Sequence, residues 1–302
     1  MFFRLLFESL HQGRRRKLII PLPGGTMNML PHALYGAHPW ARILADTLAA
    51  PRVRTVSGGR IGGQTFFQKH QMAGAPQEIE TTPIKESSGK TEHYLTLPNT
   101  AALVACAQIA ALEVHLWGSR NDDVEKPDRL VLDLDPDEDL PFTQVKRAAL
   151  DIKALLDSAD LPSFAMLTGG KGIHVVLNLK RRHSWDDVKG FAGDLAAKIV
   201  ELDPKRFVAT MAKKQRHGRI FIDFFRNGRG ATAVAPYSPR ARAAAPIAAP
   251  IAWDELNSIA SANAFKLRDM RARLREPDPW KAYAKSAVSL TKAARAALGL
   301  DH

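Results

Sequence analysis

The stretch "RLVLDLDPDEDLPF", Arg129 to Phe142, decides how this chain is read. Its apolar run, closed by Pro136, has the length and composition of a strand. Side chains in a strand alternate between faces, so Leu130, Leu132 and Leu134 share one face and Val131, Asp133 and Asp135 the other. The two carboxylates then stand about 6.6 Å apart by backbone rise, close enough to bind common metal ions. A solvated acidic turn after a strand is the plain alternative. A calcium loop is a third reading, because Asp133, Asp135 and Asp137 fall on alternating ligand positions. It fails further along, where Glu138 replaces the turn glycine and Gln144 the closing glutamate.

Two more strands repeat the pattern. In "GIHVVLNL", Ile173, Val175, Leu177 and Leu179 form an apolar face and His174 looks the other way. In "GRIFIDFF", Ile220, Ile222 and Phe224 share a face, with Asp223 and Arg219 opposite. If the three strands pair, three carboxylates and a histidine converge on one surface. Hard oxygen ligands select Mg²⁺ or Mn²⁺ over zinc. Two such ions about 3.5–4 Å apart stabilise the attacking and leaving oxygens of an in-line phosphoryl displacement. The aspartates alone suit a polymerase or a nuclease.

The segment "LTGGKGIHVVL" places glycines on both sides of Lys171, with Thr168 adding a hydroxyl. Free backbone and a point charge suit an anion. The spacing is not that of a Walker loop. A plain hairpin turn is the alternative, and a hydrogen-bonded histidine on a half-buried strand is the alternative for His174. Downstream, "RIFIDFFRNGRGATAVAPYSPRAR" carries Arg226, Arg229, Arg240 and Arg242 in a Gly- and Pro-rich loop. Guanidinium forks suit phosphates, although such a loop in a basic protein is commonly a solvated surface.

Elsewhere, "QTFFQKH" and "SFAML" read as strands. "NTAALVACAQIAALEVHLW" reads as a helix capped near Asn99 or Thr100. "PFTQVKRAALDIKALLDSAD" is an amphipathic helix with Val145, Ala149, Ile152 and Leu156 inward. "SWDDVKGFAGDLAAKIVEL" is another, capped by Ser184. "AWDELNSI", "KLRDMRARLR" and the Ala/Lys/Arg-rich tail after Pro279 read as helical. Residues 1–60 are broken by Pro and Gly. The mixture lacks a strict βαβ rhythm and points to an α+β fold.

The composition agrees with a globular protein: of 302 residues 45% are apolar and 25% charged. A formal charge of +12 favours a polyanionic partner, although solubility alone also explains it. No apolar run is long enough to span a bilayer, and no signal peptide is expected. The one cysteine, Cys106, excludes a disulfide framework or a cysteine metal cluster. These features fit the cytoplasm.

Taken together, these residues resemble the polymerase domain of bacterial ligase D, within the archaeo-eukaryotic primase superfamily. "LVLDLDPDE" resembles that family's first metal motif, "TGGKGIHV" its Ser-x-x-Lys-x-x-His nucleotide motif, and the "IFIDFFRNGRGATAVAPYSPRAR" segment its third aspartate and following loop. "FFQKH" resembles the segment that stacks on template DNA, and "AALEVH" the one carrying a histidine near the incoming nucleotide. The resemblance runs from about Gly62 to Trp280. It implies that Asp133, Asp135 and Asp223 hold two Mn²⁺ or Mg²⁺ ions for catalysis. It implies nucleotide binding by His115, Thr168, Lys171, His174 and Arg240, and DNA binding by Phe66, Phe67 and Lys69. The implied fold is the primase catalytic core, an RRM-like sheet unit packed on an N-terminal α/β unit. The implied domains are a divergent segment 1–61, a catalytic domain 62–280 and a helical basic tail 281–302. The implied activity is addition of NTPs or dNTPs to DNA ends and gaps in non-homologous end joining. Ku and a separate DNA ligase are the implied partners of a monomeric, nucleoid-associated cytoplasmic enzyme.

This chain departs from the family's pattern in two places. Thr168 stands where the family has serine, keeping the hydroxyl. The N-terminal lysines that hold a 5′-phosphate in the family are not visible, and "GGRIGG" replaces a Pro-Asp-Gly-Ile turn. No Lys-x-Asp-Gly ligase motif is present, so a stand-alone polymerase is expected. Two other classes compete: a DNA-end-binding module that has lost catalysis, and a two-metal nuclease, which leaves the glycine–lysine loop without a job.

Overall fold

The structure, a computed structural model, describes residues 68–70, 75–108, 111 and 113–300. The chain divides into two compact units, Met1–Val114 with Pro239–Ala245, and His115–Ser238 with Pro246–His302.

In the first unit, β1 (Glu80–Lys85) and β2 (Thr91–Thr96) form an antiparallel hairpin. Its turn places Gly89 at φ 85°, a conformation that favours glycine. Helix α1 (Thr100–Gln108) follows, with the Asn99 side chain accepting the Ala102 N–H at 3.0 Å as its cap. The sequence pattern extends this helix to Trp117, but the Ala111 N–H closes back onto the Cys106 carbonyl at 2.9 Å and His115–Leu116 form a strand. The apolar run "AALEVHLW" fits either state, and strand pairing decides it.

The second unit contains β3 (His115–Leu116), β4 (Ser119–Arg120), β5 (Asp123–Pro127), β6 (Arg129–Pro136), α2 (Phe142–Asp157), β7 (Ser163–Leu167), β8 (Ile173–Asn178), α3 (Trp185–Leu202), β9 (Phe207–Val208), β10 (Ile220–Asp223), β11 (Ala233–Val234), β12 (Ala249–Ile251), α4 (Met270–Arg273) and α5 (Lys292–Ala297). Six strands form the central sheet in the order β12-β7-β8-β6-β10-β9, antiparallel except for the β9–β10 pair. Leu130, Leu132 and Leu134, with Ile173, Val175, Leu177, Ile220 and Ile222, line one face. Val145, Ala149, Ile152 and Leu156 of α2 and Val188, Phe191, Leu195 and Ile199 of α3 belong to the same core cluster. Helix α3 starts with a capping box, Ser184 accepting the Asp187 N–H at 3.1 Å and Asp187 accepting the Ser184 N–H at 2.9 Å.

The other face is divided. At one end Ala233 of β11 packs on Val131 and Val176, and Val234 on Met166 and Ala248. Trp280 and Tyr283 join this layer, their rings stacked at 5.1 Å, and Trp280 Nε1 donates to the Ala165 carbonyl at 2.9 Å. Beyond them the chain stays packed on the unit. Val288 pairs beside Leu179, and Ala294, Leu298 and Leu300 enter the main core. The other end of this face carries the polar side chains Asp133, Asp135, His174 and Asp223.

Several expected elements are shorter than their patterns. β10 stops at Asp223, and Phe225–Asn227 make a 3₁₀ turn. "AWDELNSI" keeps only a 3₁₀ turn at Leu256–Ser258, and "KLRDMRARLR" a 3₁₀ turn followed by the four-residue α4. Segments this short lack the continuous buried face that sustains a helix. Among the described residues no helix is long and apolar enough to cross a membrane.

Candidate active site

The site is built around β6, flanked by β8 and β10. Their registers set Asp133 opposite His174 on one side and opposite Asp223 on the other. Asp135 lies two residues along the same face, opposite Phe221. The pairing expected from side-chain alternation therefore forms, and all four polar groups share one sheet face. His174 Nε2 stands 3.5 Å from Asp133 Oδ2.

Basic side chains stand against each acid. Lys171 Nζ is 3.5 Å from Asp135 Oδ1, and Arg216 Nη1 is 3.9 Å from Asp135 Oδ2. Arg216 also lies over the Phe221 ring, 3.7 Å from its centre. Arg226 Nε is 3.0 Å from Asp223 Oδ2 and 3.6 Å from Asp133 Oδ2. Burial raises the Asp135 carboxyl above the ordinary carboxylate value, Lys171 works against that rise, and Asp133 adds to it. Asp223 is raised in the same way, chiefly by burial, with Arg226 opposing and Asp133 adding.

No three acidic, histidine or cysteine side chains among the described residues close into an ion cage by themselves. The donor chemistry nonetheless fits a hard divalent cation: the carboxylates are crowded, partly desolvated and able to offer oxygen ligands. Asp137, the third acid of the calcium-loop pattern, is turned to structure. Its Oδ2 accepts the Gly218 N–H at 2.7 Å, and that bond holds its carboxyl below the ordinary value.

The glycine–lysine segment is the β7–β8 turn. Gly169 has φ 68°, and a Cβ at Gly172 would stand 2.3 Å from the Leu134 carbonyl oxygen, so both positions require glycine. Gly172 is thus the contact that brings the turn against β6 between Asp133 and Asp135. Thr168 is buried. Its hydroxyl donates to the Gly172 carbonyl at 3.0 Å and accepts from the Gly170 and Gly172 N–H groups at 3.3 Å. Thr168 therefore shapes the turn from inside.

The remaining candidates lie elsewhere. His115 is on the β3–β11 ribbon, paired with Val234, whose side chain packs on Met166 beside His174. In the first unit, Arg240 Nε is 3.2 Å from Glu113 Oε2, and Glu113 Oε1 accepts the Ala241 N–H at 2.7 Å. Lys69, also in that unit, donates to the Tyr94 hydroxyl at 3.3 Å, and Tyr94 donates to Glu86 at 2.6 Å. Phe66 and Phe67 lie outside the described residues. Arg229 of the Arg-rich loop pairs with Glu125 at 2.6 Å and belongs to a surface ion pair.

Sequence reasoning missed Asn227. Its Oδ1 accepts the Val131 N–H at 2.7 Å, and its Nδ2 donates to the carbonyls of Val131 and Phe224 at 2.8 Å each. It continues the β10 edge along β6 after β10 has ended, and so fixes the turn that carries Asp223 and Arg226. Its only sequence signal is an asparagine directly before the glycine-rich run that begins at Gly228.

The sequence model of the family described as "LigD, primase-polymerase domain" matches residues 42–280. The multifunctional non-homologous end joining protein LigD of Pseudomonas aeruginosa is 39% identical over 265 residues, which is 86% of this chain and 31% of that protein. The corresponding protein of Mycolicibacterium smegmatis is 34% identical over 198 residues, 65% of this chain and 26% of that protein. The chain thus spans about a third or less of the length of these relatives. Among solved structures, the polymerase domain of Mycobacterium tuberculosis ligase D in complex with DNA superposes with a TM-score of 0.67 at 28% identity, covering 74% of this chain and 80% of that one.

Proposed function

The chain belongs to the LigD primase-polymerase domain family, and from that premise we propose that it adds nucleotides to the 3′-hydroxyl of DNA ends and gaps during non-homologous end joining. The observation that carries this reading is the register of β8, β6 and β10, which sets His174, Asp133 and Asp223 side by side with Asp135 next to them. Asp133, Asp135 and Asp223 would hold the divalent ions, Mn²⁺ or Mg²⁺, on which this metal-dependent family relies. When bound, such ions supply Lewis-acid stabilisation of the charge on the attacking and leaving oxygens.

The chain's own groups do the positioning. Lys171, at the tip of the β7–β8 turn, offers a point charge to the triphosphate, and the glycines beside it let backbone N–H groups approach the same anion. Thr168 holds that backbone in shape through its three bonds inside the turn. His174 donates toward the triphosphate from a buried position. The resemblance to the family assigns nucleotide contacts to His115 and Arg240 as well. Phe66, Phe67 and Lys69 bind the DNA. Stacking on bases is worth about 1–3 kcal/mol per base and tolerates any sequence, as end processing requires. Ku and a DNA ligase activity are the partners the pathway calls for.

The test is primer extension on a 5′-phosphorylated gapped duplex with Mn²⁺. Asp133→Ala and Asp223→Ala are expected to abolish extension while DNA binding, read by fluorescence anisotropy, persists. Extension at the wild-type rate by either variant would refute the assignment.

A further inference from the structure

We propose that Arg226 is an exchangeable counter-ion of the acidic site: its guanidinium neutralises Asp133 and Asp223 in the metal-free protein and swings aside when a divalent cation takes them. The inference rests on the reading of these aspartates as metal ligands. It concerns a residue that the sequence pattern places only in an Arg-rich loop.

Three observations carry it. First, one nitrogen of Arg226 serves both acids, standing 3.0 Å from Asp223 Oδ2 and 3.6 Å from Asp133 Oδ2. Those two residues are register partners on adjacent strands, so the guanidinium bridges β10 and β6 at the point where their carboxylates meet. A cation bound to both oxygens at about 2.1 Å draws on the same lone pairs and the same charges. The two cannot share the site in this arrangement. Second, the backbone of Arg226 is held in place. Asp223 Oδ1 accepts the Phe225 N–H at 3.0 Å, and Asn227 is tied to Val131 and Phe224 by three bonds of 2.7–2.8 Å. The guanidinium is therefore delivered to the acids by construction and not by a mobile loop. Third, the side chain has somewhere to go. Arg226 is 43% exposed, whereas Asp133 and Asp223 are 16% and 12% exposed. Rotation about its own stem carries the charge into solvent without disturbing the core.

The consequence is a competition. An acidic cluster on a half-buried sheet repels itself until something positive is present, and Arg226 meets that need at the expense of metal affinity. A released guanidinium also remains tethered beside the site, where it suits a phosphate.

The experiment uses the full chain with Arg226→Ala and Arg226→Lys, and Mn²⁺ alone as the probe. Binding is followed by the EPR signal of free Mn²⁺ and by calorimetry, and thermal unfolding is recorded in EDTA and in Mn²⁺. The expected result is that Arg226→Ala binds Mn²⁺ about three- to tenfold more tightly than wild type, with a lower midpoint in EDTA and a larger rise on adding Mn²⁺. Arg226→Lys, which keeps a charge but not the fork, should lie between. Unchanged or weaker Mn²⁺ binding in folded Arg226→Ala and Arg226→Lys would overturn the proposal, because Arg226 would then be a bystander or would help to orient the ligands. Asp133→Asn separates the two levels of the argument. It should remove tight Mn²⁺ binding from wild type and from Arg226→Ala alike. Retention of wild-type Mn²⁺ affinity in Asp133→Asn would mean that the metal-site reading itself fails, and the proposal with it.

Discussion

Asn227→Ala is the substitution that probes the site's foundation most directly. β10 pairs with β6 only as far as the Asp223–Asp133 step, and two residues further along Val131 would face a bare edge. The Asn227 amide fills that edge as one more rung, with one bond accepted and two donated at 2.7–2.8 Å. Asn227 is 2% exposed and Val131 4%, so water does not replace the lost bonds. Three bonds at about 1 kcal/mol each, plus the cost of leaving a buried N–H and C=O unpaired, give roughly 3–5 kcal/mol. For a domain of this size that is a fall in Tm of about 6–20 °C. Asn227→Asp is expected to be at least as damaging. It keeps an acceptor for the Val131 N–H but turns a carboxylate oxygen toward two carbonyls. Urea unfolding followed by far-UV circular dichroism measures both variants. A loss below about 1 kcal/mol for Asn227→Ala would refute the view that this side chain acts as a strand rung.

Three further expectations follow from other parts of the molecule. Gly172→Ala puts a methyl 2.3 Å from the Leu134 carbonyl oxygen, a backbone atom that cannot yield without moving β6. It should cost about 1–3 kcal/mol and depress primer extension further, and a fully active, equally stable variant in thermal melts would contradict the close approach. Glu113→Gln weakens the pairing that holds Arg240 at 3.2 Å; with Arg240 in its proposed role of triphosphate contact, the KM for NTP should rise several-fold while kcat is kept, and steady-state extension with an unchanged KM would count against that role. His183 is kept below the ordinary histidine value, first by burial, and its Nε2 accepts the Leu290 N–H at 3.0 Å. As pH falls through the ordinary histidine range the unfolded chain takes up the proton before the folded one, so stability is full above that range and declines below it. Melts of wild type and His183→Gln between pH 7.5 and pH 5, in steps of about half a unit, should show a steeper acid decline for wild type; parallel curves would clear His183 of that part.

Much of the acidic site was legible because a sheet is a periodic object. Alternation put Asp133 with Asp135, His174 opposite its apolar neighbours and Asp223 opposite Ile222, and the three strands pair in the register that brings them together. Helices α2 and α3 were legible for the same reason, a long buried stripe, with Ser184 readable as the N-cap of α3; the reciprocal bond from Asp187 that completes a capping box appears only in the structure. The misreadings fall where the period is short or ambiguous. The continuation of "GRIFIDFF" past Asp223 looks like strand, yet Phe224 and Phe225 stack on each other at 4.3 Å in a turn. The apolar run after Gln108 suits a helix, yet His115 is claimed by Val234 across the chain.

What alternation cannot supply is the charge balance of the site. Three partly buried carboxylates on one face are unstable as a set unless cations face them, and nothing in the period of β6 or β10 says where those come from. They come from aperiodic positions: Lys171 in a glycine turn, Arg216 in the loop before β10, and Arg226 in the turn after it. Each is held by a local device without sequence rhythm, namely a close backbone approach at Gly172, a ring beneath Arg216 and the Asn227 rung behind Arg226. The strands therefore determine where the negative charge sits, and the turns determine how strongly the protein competes for it. A substitution in those turns should change the affinity for a divalent ion without touching a ligand, whereas a substitution in the strands should remove the ligand itself.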